Sequence, residues 1–185
     1  DLDEDAARLA ATLQKGLAPG GRALLVEPGT REAGRALSAL RGACLELGLH
    51  PQAPCPHLRR CPMPGREPAP WCHFNFDTTG APEWLVRLTA KADLTKRNLS
   101  LSFLLLTQGF EPEPNRVRGV SEAFDLPLGF RGQYACSAQG LTLLRFPTGE
   151  RGLPPGRGIT ATFPDQPERD RKSGAVILPL PGVRS

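Results

Sequence analysis

Apolar residues recur at Ala6, Leu9, Ala10, Leu13 and Leu17, the three-and-four spacing of an amphipathic helix. This spacing predicts a helix over residues 3–17 with Asp3 as its cap. After the turn Pro19-Gly20-Gly21 comes the apolar run RALLVE (22–27), read as a short strand, and Pro28-Gly29-Thr30 ends it. Thr30 is placed to cap a second helix whose stripe is Ala33, Leu37, Leu40, Cys44 and Leu47, and Gly48 stops that helix. Helix, strand and helix joined by tight turns make a fragment of an open α/β sheet. Glu83 to Ala92 reads as a short helix and LSLSFLLLT (99–107) as a buried strand. The rest reads as β-rich: RVRGV (116–120), GQYACS (132–137), LTLLRF (141–146), GITATF (158–163) and AVILPL (175–180), separated by Gly and Pro. Loop 147–157 and the charged stretch PDQPERDRKSG (164–174) read as exposed connections.

The pattern divides the chain into four parts. Residues 1–49 carry the helix–strand–helix unit, 50–80 a Cys- and Pro-rich loop, 81–146 the closing helix and strands of the sheet, and 147–185 a β-rich tail. With 39% hydrophobic and 23% charged residues over 185 positions, the composition is globular, not disordered. No apolar run approaches the ~18 residues that would suggest a membrane helix. The opening DLDEDAARL lacks the basic-then-apolar pattern of a secretory signal. Five cysteines, an odd number, do not suggest a disulfide framework, and the sequon at Asn98 reads as accidental. The net charge of +4 is compatible with a nucleic-acid partner without arguing for one. Lysine makes up only four of the 23 basic residues. Arginine suits phosphate forks, but a GC-rich genome produces the same bias.

The candidate chemistry lies in APCPHLRRCPMPGREPAPWCHF (53–74). Cys55, Cys61 and Cys72 sit there among prolines 54, 56, 62, 64, 68 and 70, and Cys136 follows on the expected strand 132–137. One loop thus supplies three soft ligands and a strand a fourth, a set suited to zinc or an iron–sulfur cluster. The prolines stiffen the loop and keep it from forming regular structure, so a cofactor is its expected organising centre. There is no Cys-x-x-Cys knuckle and no Cys-x-x-Cys-His, and spacing alone does not choose between metals.

Cys44 lies on the apolar stripe of its helix and is expected in the core. His57 and His73 are expected to hydrogen-bond ligand thiolates, the alternative being a Cys₃His zinc site. Trp71 and Phe74 are expected to wall the centre, Tyr134 to join core or wall, and His50 has no evident partner. Glu27, at a strand end, faces either a ligand crevice or its own loop. Arg59, Arg60 and Arg66 are candidates for phosphate contact, or solvated surface. Nucleotide-binding, serine-hydrolase and zinc-protease signatures are absent, and no catalytic residue is assigned.

VEPGT (26–30) before a helix, then APCPH (53–57), the CP pair (61–62), WCHF (71–74) and a later strand cysteine together resemble a methyltransferase-like family. That family is associated with the small ribosomal subunit in mitochondria and many bacteria. The resemblance runs from about residue 17 to about residue 140. It implies an α/β fold, the C-terminal part of a class I S-adenosylmethionine-dependent methyltransferase (Rossmann-like) sheet with a Cys-rich loop and a β-rich tail. It also implies a [4Fe–4S] cluster on Cys55, Cys61, Cys72 and Cys136, with zinc as the alternative centre, and small-subunit ribosomal RNA or a ribosome precursor as partner. The glycine-rich loop that holds the methyl donor has no counterpart, so the chain reads as starting before the family's fifth strand. S-adenosylmethionine is therefore expected only where an N-terminal half accompanies it. The location implied is the bacterial cytoplasm, or the mitochondrial matrix in a eukaryote.

Overall fold

The computed structural model describes residues 1–63, 71–94, 97–154 and 156–180. The two expected helices form as α1 (Leu2–Gly16) and α2 (Arg31–Glu46), and the run between them as β1 (Arg22–Pro28). Thr30 caps α2 as its position suggested, its side chain accepting from the Ala33 N–H. The cap of α1 is Asp1, whose Oδ1 accepts from the Asp3 N–H, and not Asp3 itself. Asp3 instead joins Glu4 and Asp5 in the first turn, where negative charge faces the positive end of the helix dipole. Gly48 takes the left-handed conformation, φ +75°, that turns the chain out of α2 and into β2 (Leu49–Ala53).

One long strand, β4 (Asn98–Gln108), organises the first sheet. On one edge it pairs antiparallel with β1, from Arg22 opposite Thr107 to Pro28 opposite Leu101. On the other edge it pairs with two strands set end to end. These are β2, where Ala53 stands opposite Leu105, and β3 (Phe74–Asp77), where Phe74 stands opposite Leu101. Since β1 and β2 both oppose β4, they run parallel to each other, joined by α2, with one antiparallel strand between them. Alternation sends Ala23, Leu25, Leu104 and Leu106 toward the two helices, where they pack with Ala6, Ala10, Leu37, Leu40, Cys44 and Leu49. Leu24 and Val26 face the other way and are exposed. The short helix α3 (Glu83–Lys91) buries no residue.

The Pro-rich segment was expected to avoid regular structure, yet both flanks are strands. β2 tolerates Pro51 because its register shifts between Pro51 and Ala53, sparing the ladder a donor that proline lacks. At the far end, FNFD finds its backbone partners on β4. Between these anchors the loop leaves the sheet opposite Leu105 and rejoins it opposite Leu101, so both of its ends hang from the same strand.

The later strands form a second sheet and do not close the first. β5 (Arg116–Gly119), β6 (Phe124–Leu126), β7 (Phe130–Ser137), β8 (Gly140–Pro147), β9 (Gly158–Thr160) and β10 (Val176–Pro179) make six strands in the order β10-β8-β7-β5-β9, with β6 also on β7. The expected boundary at residue 146 therefore falls inside a continuous sheet, and the division lies between β4 and β5. Hairpin pairing of β7 with β8 and the parallel docking of β10 on β8 tie the supposed tail to strands before it. Val117, Ala135, Leu144, Phe146 and Leu178 form the core of this sheet. Buried Gln133 clamps its loops, donating from Nε2 to the Ser121 and Leu153 carbonyls and accepting the Leu153 N–H.

Among the described residues, no helix is long and apolar enough to cross a membrane.

Candidate functional site

The gap between β2 and β3 leaves Ser102, Phe103 and Leu104 of β4 without a strand partner on that edge, and the cysteine loop fills it. These three residues floor a cavity of about 40 Å³. That is more than the ~10–15 Å³ one water needs. Cys55, Cys61 and Cys72 line it from the loop, and Cys136 from β7 of the second sheet. Leu37, Pro54, Pro56, Pro62, Met63 and Val120 complete an apolar wall. The Ser102 hydroxyl donates to the Cys72 carbonyl at 2.7 Å, fixing the rejoining end of the loop over the floor.

The second sheet reaches the loop at named points. His57 Nε2 lies 3.3 Å from Cys136 Sγ. Pro62 abuts Gly140 in the β7–β8 turn, and Phe74 abuts Gly156. Phe74 is buried and packs on Phe103 at 5.3 Å between ring centroids.

Arg41 was no site candidate, yet it is the best-connected polar side chain near the cavity. It sits on α2 with 3% exposure, among the apolar stripe positions. Its Nε donates to Cys55 Sγ at 3.1 Å, and its Nη2 to the carbonyls of His57 and Arg59 at 2.7 and 2.8 Å. A charge in the apolar stripe between Leu37 and Cys44 was the one signal available. Arg118 comes from β5 directly opposite Cys136 on β7, so the two side chains share a face of the sheet. No pattern in the sequence marked it.

The thiols perturb one another. Burial pushes Cys55 up, opposed by the Arg41 charge. Burial also raises Cys72, and its neighbours Cys55 and Cys61 raise it further. Cys136 is pushed well above the ordinary thiol range by burial and then by Cys55, Cys61 and Cys72. Burial and the neighbouring sulfurs thus oppose ionisation of Cys55, Cys72 and Cys136. His57 is lowered to about 4, chiefly by burial and then by Arg41, so it is a neutral ring at physiological pH.

Other expectations resolve differently. Cys44 is fully buried in the helix–sheet core, away from the cavity, and burial pushes its thiol up to about 11. Trp71 is not a cavity wall. Its Nε1 donates to the Gly29 carbonyl at 3.0 Å, its ring seats against Gly34, and the Arg31 guanidinium lies 5.2 Å above it. Gly34 permits that approach because it has no Cβ. His73 stacks on Trp71 at 4.8 Å, and its Nδ1 meets the Trp71 carbonyl at 3.1 Å. Tyr134 packs on Phe124, and His50 Nδ1 meets the Phe110 carbonyl at 2.6 Å. Glu27 is exposed, as are Arg59 and Arg60. Arg66 lies outside the described residues.

Among the described residues, no group of three or more histidine, cysteine, aspartate or glutamate side chains is arranged to hold a metal ion. The thiols of Cys55, Cys61, Cys72 and Cys136 nonetheless line one shared cavity. A soft all-thiol donor set of this kind is chemically suited to zinc or an iron–sulfur cluster.

These features define an α/β protein in which a cysteine-bearing loop bridges two sheets. Residues 4–99 match the family described as mitochondrial small ribosomal subunit Rsm22, and the chain belongs to that family. The match includes Cys55, Cys61 and Cys72 but ends before Cys136 and the second sheet. Membership connects the chain to the small ribosomal subunit. No match to a curated protein was found.

Proposed function

We propose that the chain is a methyltransferase-like factor that binds small-subunit ribosomal RNA during subunit assembly, with a structural [4Fe–4S] cluster on Cys55, Cys61, Cys72 and Cys136. One observation carries this reading: Cys136, from a different sheet, lines the same cavity as the three loop cysteines. Bound there, a cluster supplies a covalent tie between loop and second sheet and removes the need to bury four free thiols. The protein's own part is to hold that geometry. β4 anchors both ends of the loop, Arg41 gathers the His57 and Arg59 carbonyls, and His57 hydrogen-bonds the Cys136 sulfur. Four thiolates leave no open iron position, which favours a structural role over a catalytic one.

The antiparallel strand between two parallel strands joined by a helix supports the closing portion of a class I methyltransferase sheet. S-adenosylmethionine belongs to this reading only where a donor-binding half accompanies the chain. Exposed Arg59 and Arg60 on the cysteine loop are the proposed phosphate contacts. The mitochondrial matrix is the proposed location, with the bacterial cytoplasm as its counterpart.

Elemental analysis of protein purified without oxygen tests the proposal. About four iron and four sulfide per chain, with absorbance near 400 nm, is the expected result. One zinc per chain, stable in air, would replace the cluster with a zinc-stabilised binding module. Metal-free, colourless protein would overturn both.

A further inference from the structure

Two guanidiniums lie near the four thiols: Arg41 lines the cavity, and Arg118 stands opposite Cys136. Arg41 extends from α2 to Cys55, and Arg118 from β5 on the face that carries Cys136. Arg118 Nη1 donates to the Gly156 carbonyl at 2.6 Å, but its Nε is buried with no hydrogen-bond partner among the described residues. An orphaned buried donor on a cation is costly, and such groups persist where something outside the protein satisfies them. The Arg118 charge acts on Cys55, Cys72 and Cys136 alike, and the Arg41 charge on Cys55, Cys72 and Cys136. Among the described residues, no carboxylate lines the cavity.

We propose that Arg41 and Arg118 are positioning residues for the proposed cluster, a cationic pair that offsets its negative charge from two sides, with Arg118 Nε donating to a cluster or cysteinyl sulfur. This inference rests on the cluster assignment above. A thiolate-bound cluster is a net anion, and its reduction adds a further negative charge. Opposite charge and N–H donation to sulfur in a low dielectric therefore favour the reduced form. The pair has a structural consequence too, because Arg41 extends from a helix packed on the first sheet and Arg118 from the second sheet, and the anion between them ties the two.

The test compares wild-type protein with R118Q, R118K and R41K, all purified without oxygen. Iron content, the reduction potential read by dithionite titration with electron paramagnetic resonance, and the rate of bleaching in air are measured. R118Q is expected to move the potential to more negative values and to bleach several-fold faster, while R118K recovers most of the potential by restoring the charge. R41K keeps the charge, so its potential stays near wild type, but loss of the fork to the His57 and Arg59 carbonyls speeds bleaching. Matching potentials in wild type and R118Q, both loaded with iron, would overturn the inference and leave the cluster assignment standing. Wild-type protein without iron would overturn the assignment itself. Should R118Q not load, R118K with a wild-type potential supports the charge role, and a shifted one overturns it.

Discussion

His57 Nε2 and Cys136 Sγ meet at 3.3 Å although 79 residues separate them in the chain. The contact joins the cysteine loop to the second sheet and brings the fourth thiol to a cavity whose other three thiols come from one loop. The sequence offered Cys136 as a fourth sulfur and His57 as a partner for a ligand thiolate, but not their pairing with each other. His57 lies in a loop of prolines, and Cys136 in an ordinary alternating strand. The pairing gives the candidate site its fourth corner, and it separates the cysteines that matter for the site from the one that does not.

That separation is testable by substitution. Cys136→Ala should abolish iron retention and the absorbance near 400 nm. Cys44→Ala should leave both unchanged and cost about 1 kcal/mol through the small void left in a fully buried position. Metal analysis and urea unfolding of the two variants check it. Loss of iron from the Cys44 variant with its fold intact would contradict the assignment.

Trp71 depends on the absence of a side chain at Gly34, where an added Cβ would sit 3.0 Å from Trp71 Cβ and Cδ1. Gly34→Val should push the indole off the helix, break its bond to the Gly29 carbonyl and cost about 1–3 kcal/mol. The shift is read by tryptophan fluorescence in a Trp84→Phe background, since Trp84 is 62% exposed and would otherwise contribute. An unmoved emission maximum would show that the packing adapts.

Gly29 lies against β4 so closely that a Cβ would fall 2.8 Å from the Ser100 carbonyl carbon, and the Gly29 N–H donates to the Ser100 carbonyl. Gly29→Ala must separate the two backbones at the β1–β4 end. The expected result is a loss of about 1–3 kcal/mol in denaturant unfolding and faster amide exchange at Leu101 and Ser102.

Thr30→Ala should cost about 1 kcal/mol, because the Ala33 N–H loses its acceptor at the start of α2. Thr30→Ser should recover most of that loss. Thermal unfolding of the three proteins measures it.

Asp170 supplies a pH-dependent contribution to the second sheet. The Ser173 hydroxyl donates to its carboxylate at 2.5 Å, and that bond, aided by the Ser173 and Lys172 N–H groups and the Lys172 charge, holds its pKa below the usual value. A folded pKa below the unfolded one gives stability that is present above the unfolded value, near 3.8. It fades as pH falls through the lower folded value. Asp170→Asn should therefore flatten part of the acid limb of a Tm-versus-pH curve between about pH 5 and 2, while a parallel curve would show that the turn contributes nothing through this group.

Helices α1 and α2 and strands β1, β4, β7 and β8 were legible because their signals are local. Three-and-four spacing, alternation, a threonine cap and a stop glycine each depend on neighbours within a few residues. β2, β3 and β6 were not legible. Each is short, and each exists because a longer strand offers it backbone partners: β4 for the first two, β7 for the third. Arg41 and Arg118 escaped for a related reason. A guanidinium in an apolar stripe, or on an alternating strand, reads as ordinary until its neighbours in space are known.

By itself the sequence determined the helix–strand–helix unit, the four sulfur-bearing positions to watch and the resemblance that led to the family. The partition into two sheets, the hanging of the cysteine loop from one strand and the arrival of Cys136 beside His57 were decided only in three dimensions. Periodicity records which face of an element is buried, whereas the choice of partner strand depends on backbone donors and acceptors that every residue carries alike.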